Sequence, residues 1–369
     1  MQFRSHETWR GVNVVRVGST GFGKSARWRR ALDFGSFLLS CSLRLFRMPR
    51  FDVVVSMTSP PLVSGLAAAF VSAKGGNLVC WVLDLNPDEA IAAGWLREDS
   101  FVCGLLKQIS AFGYAVARKI IVMDRFMAKR VAAYGVPEAK ITVIPPWSHN
   151  EAVHYDEAGR EAFRLENGLA GRFVVMYSGN HSPCHPLETL LEAARRLKND
   201  PRIAFCFVGG GSEFARVKAY AAGHRLGNIL CLPYVPMSRL SASLSAADLH
   251  AVVMGDPYVG IVHTCKVYNV LTLGIPLLYI GPEPSHITDM TLGMTSRGGM
   301  RRAAHGDADA VVRLIREAAT SGVRPPLENE QALAESFSQE SLLPMMFETL
   351  REATIGAPVP ALADSIVLR

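Results

Sequence analysis

The chain lacks any apolar run long enough to cross a bilayer, and it is poor in charged residues. None of its hydrophobic stretches approaches the roughly 18 to 20 residues that a spanning helix needs. Charged residues make up 20% of the 369 residues and hydrophobic residues 49%, which excludes a disordered chain and allows two domains, each with its own core. Residues 1–11 hold no apolar core, so we do not expect them to act as a secretory signal.

Cysteine is scarce and scattered, which argues against a zinc site or a disulfide framework. The seven cysteines are odd in number, never stand in a C-x-x-C spacing, and in part lie in apolar runs such as IAFCFV. Buried free thiols in a reducing cytoplasm are the interpretation that fits this pattern. We therefore expect a cytoplasmic protein.

A phosphate-binding P-loop spacing is present near the start. Gly18 is followed by four residues and then by Gly23-Lys24-Ser25, after the strand-like VNVVRV. Four fixed residues often match by chance, and an ATP site would also need a metal-holding Asp on a neighbouring strand, which WVLD would supply. A P-loop nucleotide-binding protein is therefore one alternative.

Positive charge is concentrated in residues 1–50. They hold ten basic and two acidic groups, a net +8 that leaves −2 for the rest of the chain. The apolar segment 31–47, ALDFGSFLLSCSLRLFR, lies among these charges and would suit an amphipathic helix on an anionic membrane surface, at the inner face of the membrane. The alternative is a helix that packs on its own sheet and leaves a solvated basic face. No nucleic-acid partner is expected.

Strand-like and helical runs alternate along the chain. The strand-like runs are nearly continuous in apolar residues, which is typical of parallel strands covered by helices on both faces. We predict an α/β fold of two Rossmann-like, doubly wound domains that face a cleft, with the ligand beyond the carboxyl ends of the strands. The predicted domains are 1–148 and 149–335, followed by a helix and tail at 336–369. The predicted strands are 12–17, 51–58, 77–85, 119–124, 141–146, 172–178, 203–208, 228–231, 249–254 and 276–280.

Two glycine turns in the second domain are candidate ligand loops. In YSGNHSPCHPLETLL, Gly179 would let the backbone approach a ligand, the following helix N-terminus suits phosphate, and His181 and His185 would add hydrogen bonds or positive charge. In FVGGGSEF, Gly209–Gly211 allow either close ligand approach or a sharp turn, without the G-x-G-x-x-G spacing of a dinucleotide fold. Ordinary strand-to-helix turns are the alternative for both.

The stretch VVMGDPYVGIVHTCKVYNVLTLGIP contains the strongest candidate. A glycine loop precedes a helix that we predict to begin near Thr264, with Lys266 in its first turn. A cation is unfavourable at that end of a helix dipole unless an anion such as phosphate binds there. A solvent-facing lysine is the alternative.

An acidic cluster ends a first-domain strand. Asp84, Asp88 and Glu89 follow WVL, and a carboxylate at the cleft would orient an acceptor hydroxyl or take its proton. Asn86-Pro87-Asp88-Glu89 also reads as a helix start with acids in the first turn, so we expect Asp88 to act as a cap and Asp84 to be the functional group.

Eight stretches, in order from about residue 12 to 345, resemble one family. They are DVVVSMTSPPLVSGLAAAF, WVLDLNPDEAIAAGWL, VMDRFMAKRV, VIPPW, YSGNHSPCHPLETLLEAA, VGGGSEF, LPYVP and GIVHTCKVYNVLTLGIP. Together they are similar to the GT-B glycosyltransferases of family 4, and most closely to the branch that builds bacterial surface polysaccharides.

The resemblance implies a retaining hexosyl or N-acetylhexosaminyl transfer from a nucleotide-diphosphate sugar, a UDP-sugar, to a polysaccharide or polyprenyl-linked acceptor. Lys266 would neutralise the departing diphosphate without a metal or other cofactor, and Asp84 would serve the acceptor. The other donor contacts would come from the second domain: Gly179, Asn180, His181, Gly210, Tyr234 and Val235 near the base, Gly260, Ile261, Val262 and Asn269.

The sequence departs from the family pattern at several points. Many relatives carry two glutamates where Ile261 and Asn269 stand, and Arg and Lys in the loop that here holds His181 and His185. Relatives usually carry one more strand–loop–helix unit before a strand like VNVVRV, so we expect the first domain to lack it. An inactive nucleotide-sugar-binding relic is therefore an alternative, and a sugar-nucleotide epimerase is a third.

Overall fold

The computed structural model describes residues 5–22, 27–147, 153–292, 299–322 and 325–354, and it contains two α/β lobes. In the first lobe four parallel strands pair in the order β3-β4-β5-β6. Its elements are β1 His6–Trp9, β2 Val12–Val15, α1 Arg27–Leu45, β3 Val53–Met57, α2 Val63–Lys74, β4 Asn77–Val82, α3 Asp88–Ala92, α4 Phe101–Val116, β5 Lys119–Val122, α5 Arg125–Ala132 and β6 Ile141–Val143.

The second lobe is a six-stranded parallel sheet in the order β12-β11-β10-β7-β8-β9, so β7 and β10 lie at its centre. Its elements are α6 Glu157–Glu166, β7 Phe173–Asn180, α7 Glu188–Arg196, β8 Ile203–Gly210, α8 Phe214–Gly223, β9 Ile229–Leu232, α9 Leu240–Ser245, β10 Leu249–Val253, α10 Lys266–Thr272, β11 Leu277–Ile280, α11 His286–Met290, β12 Met300–Ala303 and α12 Ala308–Thr320.

Strand β8 shows why continuous apolar runs predict doubly covered strands. Its side chains alternate between two buried clusters: Phe205 and Phe207 pack with α7 and α12, whereas Cys206 and Val208 pack on the opposite face. Because successive side chains of a strand point to opposite faces, a strand buried on both sides has no polar position. The prediction of two parallel, helix-covered sheets is confirmed.

The chain start differs from the prediction. Strand β2 pairs antiparallel with β1 in a two-stranded sheet instead of joining the parallel sheet. A P-loop requires its strand within a central parallel sheet, so this context does not match; Gly23, Lys24 and Ser25 themselves lie outside the described residues. Strand β12 was not predicted, because MRRA carries two arginines and has no apolar pattern.

Two further helices, α13 Glu328–Glu335 and α14 Gln339–Thr354, follow the second lobe. Helix α14 returns to the first lobe, where Leu342 and Met346 pack against Val79 and Ile121 on the sheet face opposite α2 and α4. The sequence predicted helix here but not its place, because an amphipathic pattern does not say which sheet it covers. Among the described helices, none is both long and apolar enough to pass through a bilayer.

Candidate active site

The two glycine turns of the second lobe lie directly against each other. Strands β7 and β8 stay paired to their last residues, Gly179 with Gly209 and Asn180 with Gly210. A Cβ at Gly209 would lie 2.1 Å from the Gly179 carbonyl oxygen, and one at Gly211 would lie 2.2 Å from the carbonyl oxygen of His181. Gly209 and Gly211 are therefore required by the packing of the two loops, whereas a donor contact at Gly210 stays a prediction.

Lys266 lies over this pair of turns, at the first residue of α10. Its Nζ donates to the carbonyl oxygen of Asn180 at 3.3 Å and sits 5.0 Å from the centre of the Tyr177 ring. Burial lowers the pKa of Lys266 to about 7, although the thiols of Cys265 and Cys184 act in the opposite direction. A half-buried ammonium, with a carbonyl and a ring face as neighbours, is well suited to pair with an anion.

The two histidines of the first loop do not face the cleft. The His181 side chain is fully buried between Tyr177 and Phe214, and its Nδ1 bonds to the Gly179 carbonyl. His185 Nδ1 bonds to the carbonyl of Val253 at 2.7 Å. Burial lowers the pKa of His181 to about 4 and that of His185 to about 3. Both are neutral at pH 7, which corrects the expectation of positive charge there; they support the loop from inside.

The segment 259–263, which leads from β10 to α10, is held by the first lobe. A Cβ at Gly260, whose φ is +69°, would lie 2.6 Å from the Phe126 backbone. The Ile261 side chain is buried in the first-lobe core, and its amide and that of Val262 both donate to the Tyr258 carbonyl. These two amides are bonded within the protein, and the contact of this backbone with a donor stays a prediction.

Asp84 follows β4 of the first lobe and lies against the segment 259–263 that leads to Lys266. It forms an antiparallel bridge with Val262, and Thr58 Oγ1 accepts from its amide at 3.3 Å. Burial raises the pKa of the Asp84 carboxyl, while the neighbouring His263 partly offsets this. A carboxylate with a raised pKa is a better proton acceptor than an exposed one.

Asp88 begins α3, as the helix-start pattern predicted, but it does not cap the helix. The N-cap position is Pro87, and no side chain caps this helix. The Asp88 carboxylate instead accepts from the Tyr134 hydroxyl at 3.0 Å. The expected capping role is therefore wrong, because a proline precedes the first turn and Tyr134 lies within reach.

The remaining predicted donor residues lie on the second lobe, and their contact with a donor stays a prediction. Tyr234 is 61% exposed, and its ring lies beside Gly210, to whose carbonyl its hydroxyl donates at 3.3 Å. Val235 is half-buried against the core. Asn269 stands three positions after Lys266 in α10, which places both on one face of the helix.

A cavity of about 660 Å³ opens nearby, between α3 and the second lobe. It is lined by Pro183, Tyr258 and His305 and by the acidic side chains of Glu188, Glu192 and Asp256, and Lys266 is not among its lining residues. Because no lysine or arginine among the described residues lines the cavity, a diphosphate would find less positive charge there than at the surface around Lys266.

A buried cluster that sequence reasoning missed lies beside this site. Asp124, His263 and His286 each offer an atom within 4.8 Å of the others, close enough to consider a metal. However, His286 Nε2 accepts the amide proton of Thr264 at 3.1 Å, so in the neutral ring Nδ1 carries the proton and has no free lone pair. The cluster is better described as a hydrogen-bond network. The two histidines lie 139 and 162 residues downstream of Asp124, so no local sequence pattern links the three residues.

A D-x-D sequence, a common metal-binding pattern of sugar transferases, occurs at Asp307–Asp309. Asp307 caps α12 by accepting from the Ala310 amide at 2.9 Å, and Asp309 pairs with Arg196. These contacts give the two carboxylates structural roles.

Comparison with known proteins supports the likeness of the sequence motifs. Residues 2–147 match the "Glycosyl transferase 4-like domain" family and residues 159–264 the "Glycosyl transferases group 1" family. The chain is 27% identical to the probable glycosyltransferase WbjE of Pseudomonas aeruginosa over 70% of its own length and 65% of that protein. It is 25% identical to WcaI of Escherichia coli (strain K12), a putative colanic acid biosynthesis glycosyl transferase, over 67% of its own length and 62% of WcaI.

The aligned region thus covers less than two thirds of either relative. Among solved structures, HepE of Anabaena in complex with UDP-glucose superposes with a TM-score of 0.70 at 14% identity, over 86% of this chain and 82% of HepE. At that identity the superposition shows the fold alone. Two matched families, one on each lobe, and a shared two-lobe fold place this chain in the family 4-like glycosyltransferases of the GT-B fold.

Proposed function

We propose that the protein transfers a sugar, with retention of configuration, from a nucleotide-diphosphate sugar to a polysaccharide or lipid-linked acceptor. The observation that carries the proposal is the position of Lys266, whose ammonium lies over the Gly179 turn at the carboxyl ends of β7 and β10. Ligands of open parallel sheets bind at that edge of the sheet. In this proposal the task of Lys266 there is to bind the diphosphate of the donor.

In this proposal the bond between the anomeric carbon and the diphosphate oxygen breaks, and the electron pair leaves with the diphosphate. Lys266 would pair with the negative charge that develops on that oxygen, and such stabilisation in a site of low solvation is a large catalytic term. The acceptor hydroxyl would form the new bond to the anomeric carbon and lose its proton, for which Asp84 is the candidate base or orienting group. The lysine would do this work without a metal ion.

We take the nucleotide to be uridine. The fold is shared with HepE, whose complex contains UDP-glucose, and the exposed ring of Tyr234 beside Gly210 offers a stacking surface for a base. The name of WcaI supports a surface polysaccharide or its lipid-linked precursor as the acceptor. The transferred sugar itself would be hexosyl or N-acetylhexosaminyl.

The test is a melting-temperature screen with UDP, GDP, TDP and ATP, followed by an assay of donor hydrolysis and transfer. A ligand at a hundred times its Kd adds about 2.7 kcal/mol to the free energy of unfolding. UDP is expected to stabilise the wild type and to lose most of this effect in Lys266→Met. UDP binding without hydrolysis or transfer of any UDP-sugar would favour the relic, whereas an ATP effect lost in Lys24→Ala would favour the P-loop protein.

We also propose that the first lobe rests on an anionic membrane surface at the cytoplasmic face. Helix α1 exposes Trp28, Leu32, Leu39 and Leu43, spaced by four, seven and four residues on one side of the helix. Helix α4 exposes a second apolar series, Phe101, Leu105 and Phe112, and both α1 and α4 pack against α2. Apolar stripes beside a net charge of +8 in residues 1–50 fit anionic lipid.

Vesicle sedimentation tests this surface. The wild type should sediment with phosphatidylglycerol vesicles more than with phosphatidylcholine vesicles, and the Leu39→Gln/Leu43→Gln variant should remain in solution. Leu165→Gln, an exposed leucine of the second lobe, is the matched control and should sediment like the wild type. Equal sedimentation of all three proteins would contradict the membrane proposal.

A further inference from the structure

The hydrogen-bond network around Asp124 joins the two lobes. It does so at the segment that leads to Lys266, the lysine that we propose binds the diphosphate. Asp124 belongs to the first lobe, where its Oδ1 caps α5 by accepting from the amides of Phe126 and Met127 at 2.9 and 2.8 Å. Its other oxygen, Oδ2, accepts from Nδ1 of His263 in the second lobe at 2.8 Å. One carboxylate therefore starts a first-lobe helix and holds the chain three residues before Lys266.

The other ring nitrogen of His263 is held as well. Its Nε2 lies 2.8 Å from the Tyr268 hydroxyl, and its ring stacks on His286 with centres 4.0 Å apart. Nδ1 donates to the carboxylate and Nε2 is hydrogen-bonded to the Tyr268 hydroxyl, so both ring nitrogens have a partner. Asp124 and His263 are both only 7% exposed, so water does not compete for these bonds.

Further contacts restrict the backbone of the segment 259–263. Arg130 Nε donates to the Val259 carbonyl at 2.8 Å, and the amide of Leu85 donates to the Ile261 carbonyl at 3.0 Å. Arg130 and Leu85 lie on the first lobe, whereas the turn that Lys266 covers, at Gly179, belongs to the second lobe. The position of Lys266 over Gly179 thus depends on contacts from both lobes.

We propose that Asp124 and His263 are a positioning pair. Their hydrogen bond would hold Lys266 where it can bind the diphosphate, so that the acceptor lobe controls donor binding. This inference rests on the proposed function. Neither residue would touch the donor; the pair would act through the 263–266 segment. Loss of the bond would let this segment move and lower the share of molecules in which Lys266 faces the diphosphate.

Three variants separate positioning from simple stability. Asp124→Ser keeps an oxygen for the cap of α5 but is too short to reach His263. His263→Gln places its amide near the position of Nε2 and loses the bond to Asp124, whereas His263→Asn places an NH₂ near the position of Nδ1 and keeps it. Met346→Ala truncates a buried side chain of α14 in a core cluster that includes neither Asp124 nor His263, and it is the destabilised control.

The measurement is the Kd of UDP by calorimetry, well below the melting temperature of each variant. Asp124→Ser and His263→Gln should each weaken UDP binding about tenfold, the size expected for one hydrogen bond to a charged group. Their combination should be no weaker than either alone, and His263→Asn and Met346→Ala should stay within about twofold of the wild type.

Unchanged UDP affinity in Asp124→Ser and His263→Gln, with lowered melting temperatures, would overturn the inference and leave the pair as a structural contact. If Asp124→Ser does not fold, His263→Gln, which keeps its Tyr268 partner, decides the question. If the wild type does not bind UDP, or if Lys266→Met binds it equally well, the proposed function fails instead, and the two failures are distinguishable.

Discussion

Gly179 leaves the space that the side chain of Lys266 fills. A Cβ at Gly179 would lie 2.6 Å from Lys266 Cε, and the φ of Gly179 is +129°, which residues with a side chain rarely adopt. The glycine is needed for the position of the lysine as much as for close approach of a ligand.

Gly179→Ala should therefore displace Lys266 and weaken UDP binding about tenfold or more, with a loss of about 1–3 kcal/mol in the free energy of unfolding from the strained backbone. Calorimetry with UDP and thermal unfolding measure the two effects. Gly227→Ala is the matched control, because a Cβ there meets nothing within 4 Å and its φ is ordinary. UDP binding at wild-type strength in Gly179→Ala would show that Lys266 is not the diphosphate group.

The lowered pKa of Lys266, about 7 through burial, predicts a pH dependence of UDP binding. The ammonium is charged below that pKa and loses its proton as the pH rises through about 7. UDP binding above pH 7 must then take up a proton, so the affinity should fall by up to about tenfold per pH unit until the pKa of the complex is reached. Lys266→Met should show no such fall between pH 7 and 9; a flat wild-type profile would contradict the assignment.

The same lowered pKa acts on stability in the opposite direction. The unfolded lysine keeps its proton up to about pH 10.4, so between about pH 7 and that value the unfolded chain binds more protons than the folded protein. The contribution of Lys266 to the stability of the ligand-free protein should therefore increase as the pH rises through this window. Comparison of urea unfolding of the wild type and Lys266→Met at pH 7 and pH 9 measures it.

Tyr234 should contribute to affinity through its ring and not through its hydroxyl. Stacking of a base on an aromatic side chain is worth about 1–3 kcal/mol, so Tyr234→Ala should weaken UDP binding by about fivefold to a hundredfold. Tyr234→Phe, which loses only the 3.3 Å hydrogen bond to Gly210, should bind nearly as the wild type does. Equal losses in the two variants would mean that the hydroxyl, and not the ring, contacts the ligand.

Asp84→Asn should separate transfer from donor binding. If Asp84 orients or deprotonates the acceptor, kcat should fall by about 10²–10⁴ while the Kd of UDP stays unchanged. Asp88→Asn is the control, since Asp88 bonds to the Tyr134 hydroxyl and is not placed in the reaction. Full kcat in Asp84→Asn would remove Asp84 from the mechanism.

The ion pairs at the start of β10 allow a substitution that should lower stability without changing UDP binding. Asp248 accepts from Arg160 and Arg164, and its Oδ2 also accepts from the Val174 amide at 2.7 Å. All three charged side chains are largely buried, so Asp248→Asn leaves two arginines without their counter-charge and should cost about 3–5 kcal/mol. Denaturant unfolding measures the loss in the free energy of unfolding. UDP affinity at low temperature should not change, because these ion pairs lie away from Lys266.

Several features of the site followed from local patterns alone. Gly179 and Lys266 each stand in a strand–loop–helix pattern, and in parallel sheets such loops meet at one edge. Their proximity could therefore be expected from the amino-acid sequence. Likewise, Asp84 ends a first-lobe strand, which predicted its place at the cleft.

Other features had no local signal. His181 and His185 look like ligand groups in sequence, and only the rings packed around them show that they are buried and neutral. Asp124 and His263 are 139 residues apart and belong to different lobes. No periodicity or spacing relates two such positions, so their hydrogen bond was not predictable.

The amino-acid sequence by itself determined that the chain forms two parallel sheets covered by helices, because the two-sided burial of a strand is recorded in its own continuous apolar run. It also determined the family likeness and indicated the loops at which we propose that a ligand binds. Only the tertiary structure decided which face α14 covers, that β2 lies outside the parallel sheet, and that the first lobe holds the segment before Lys266. These relationships depend on how separate elements pack, and packing between distant segments is a property of the whole fold.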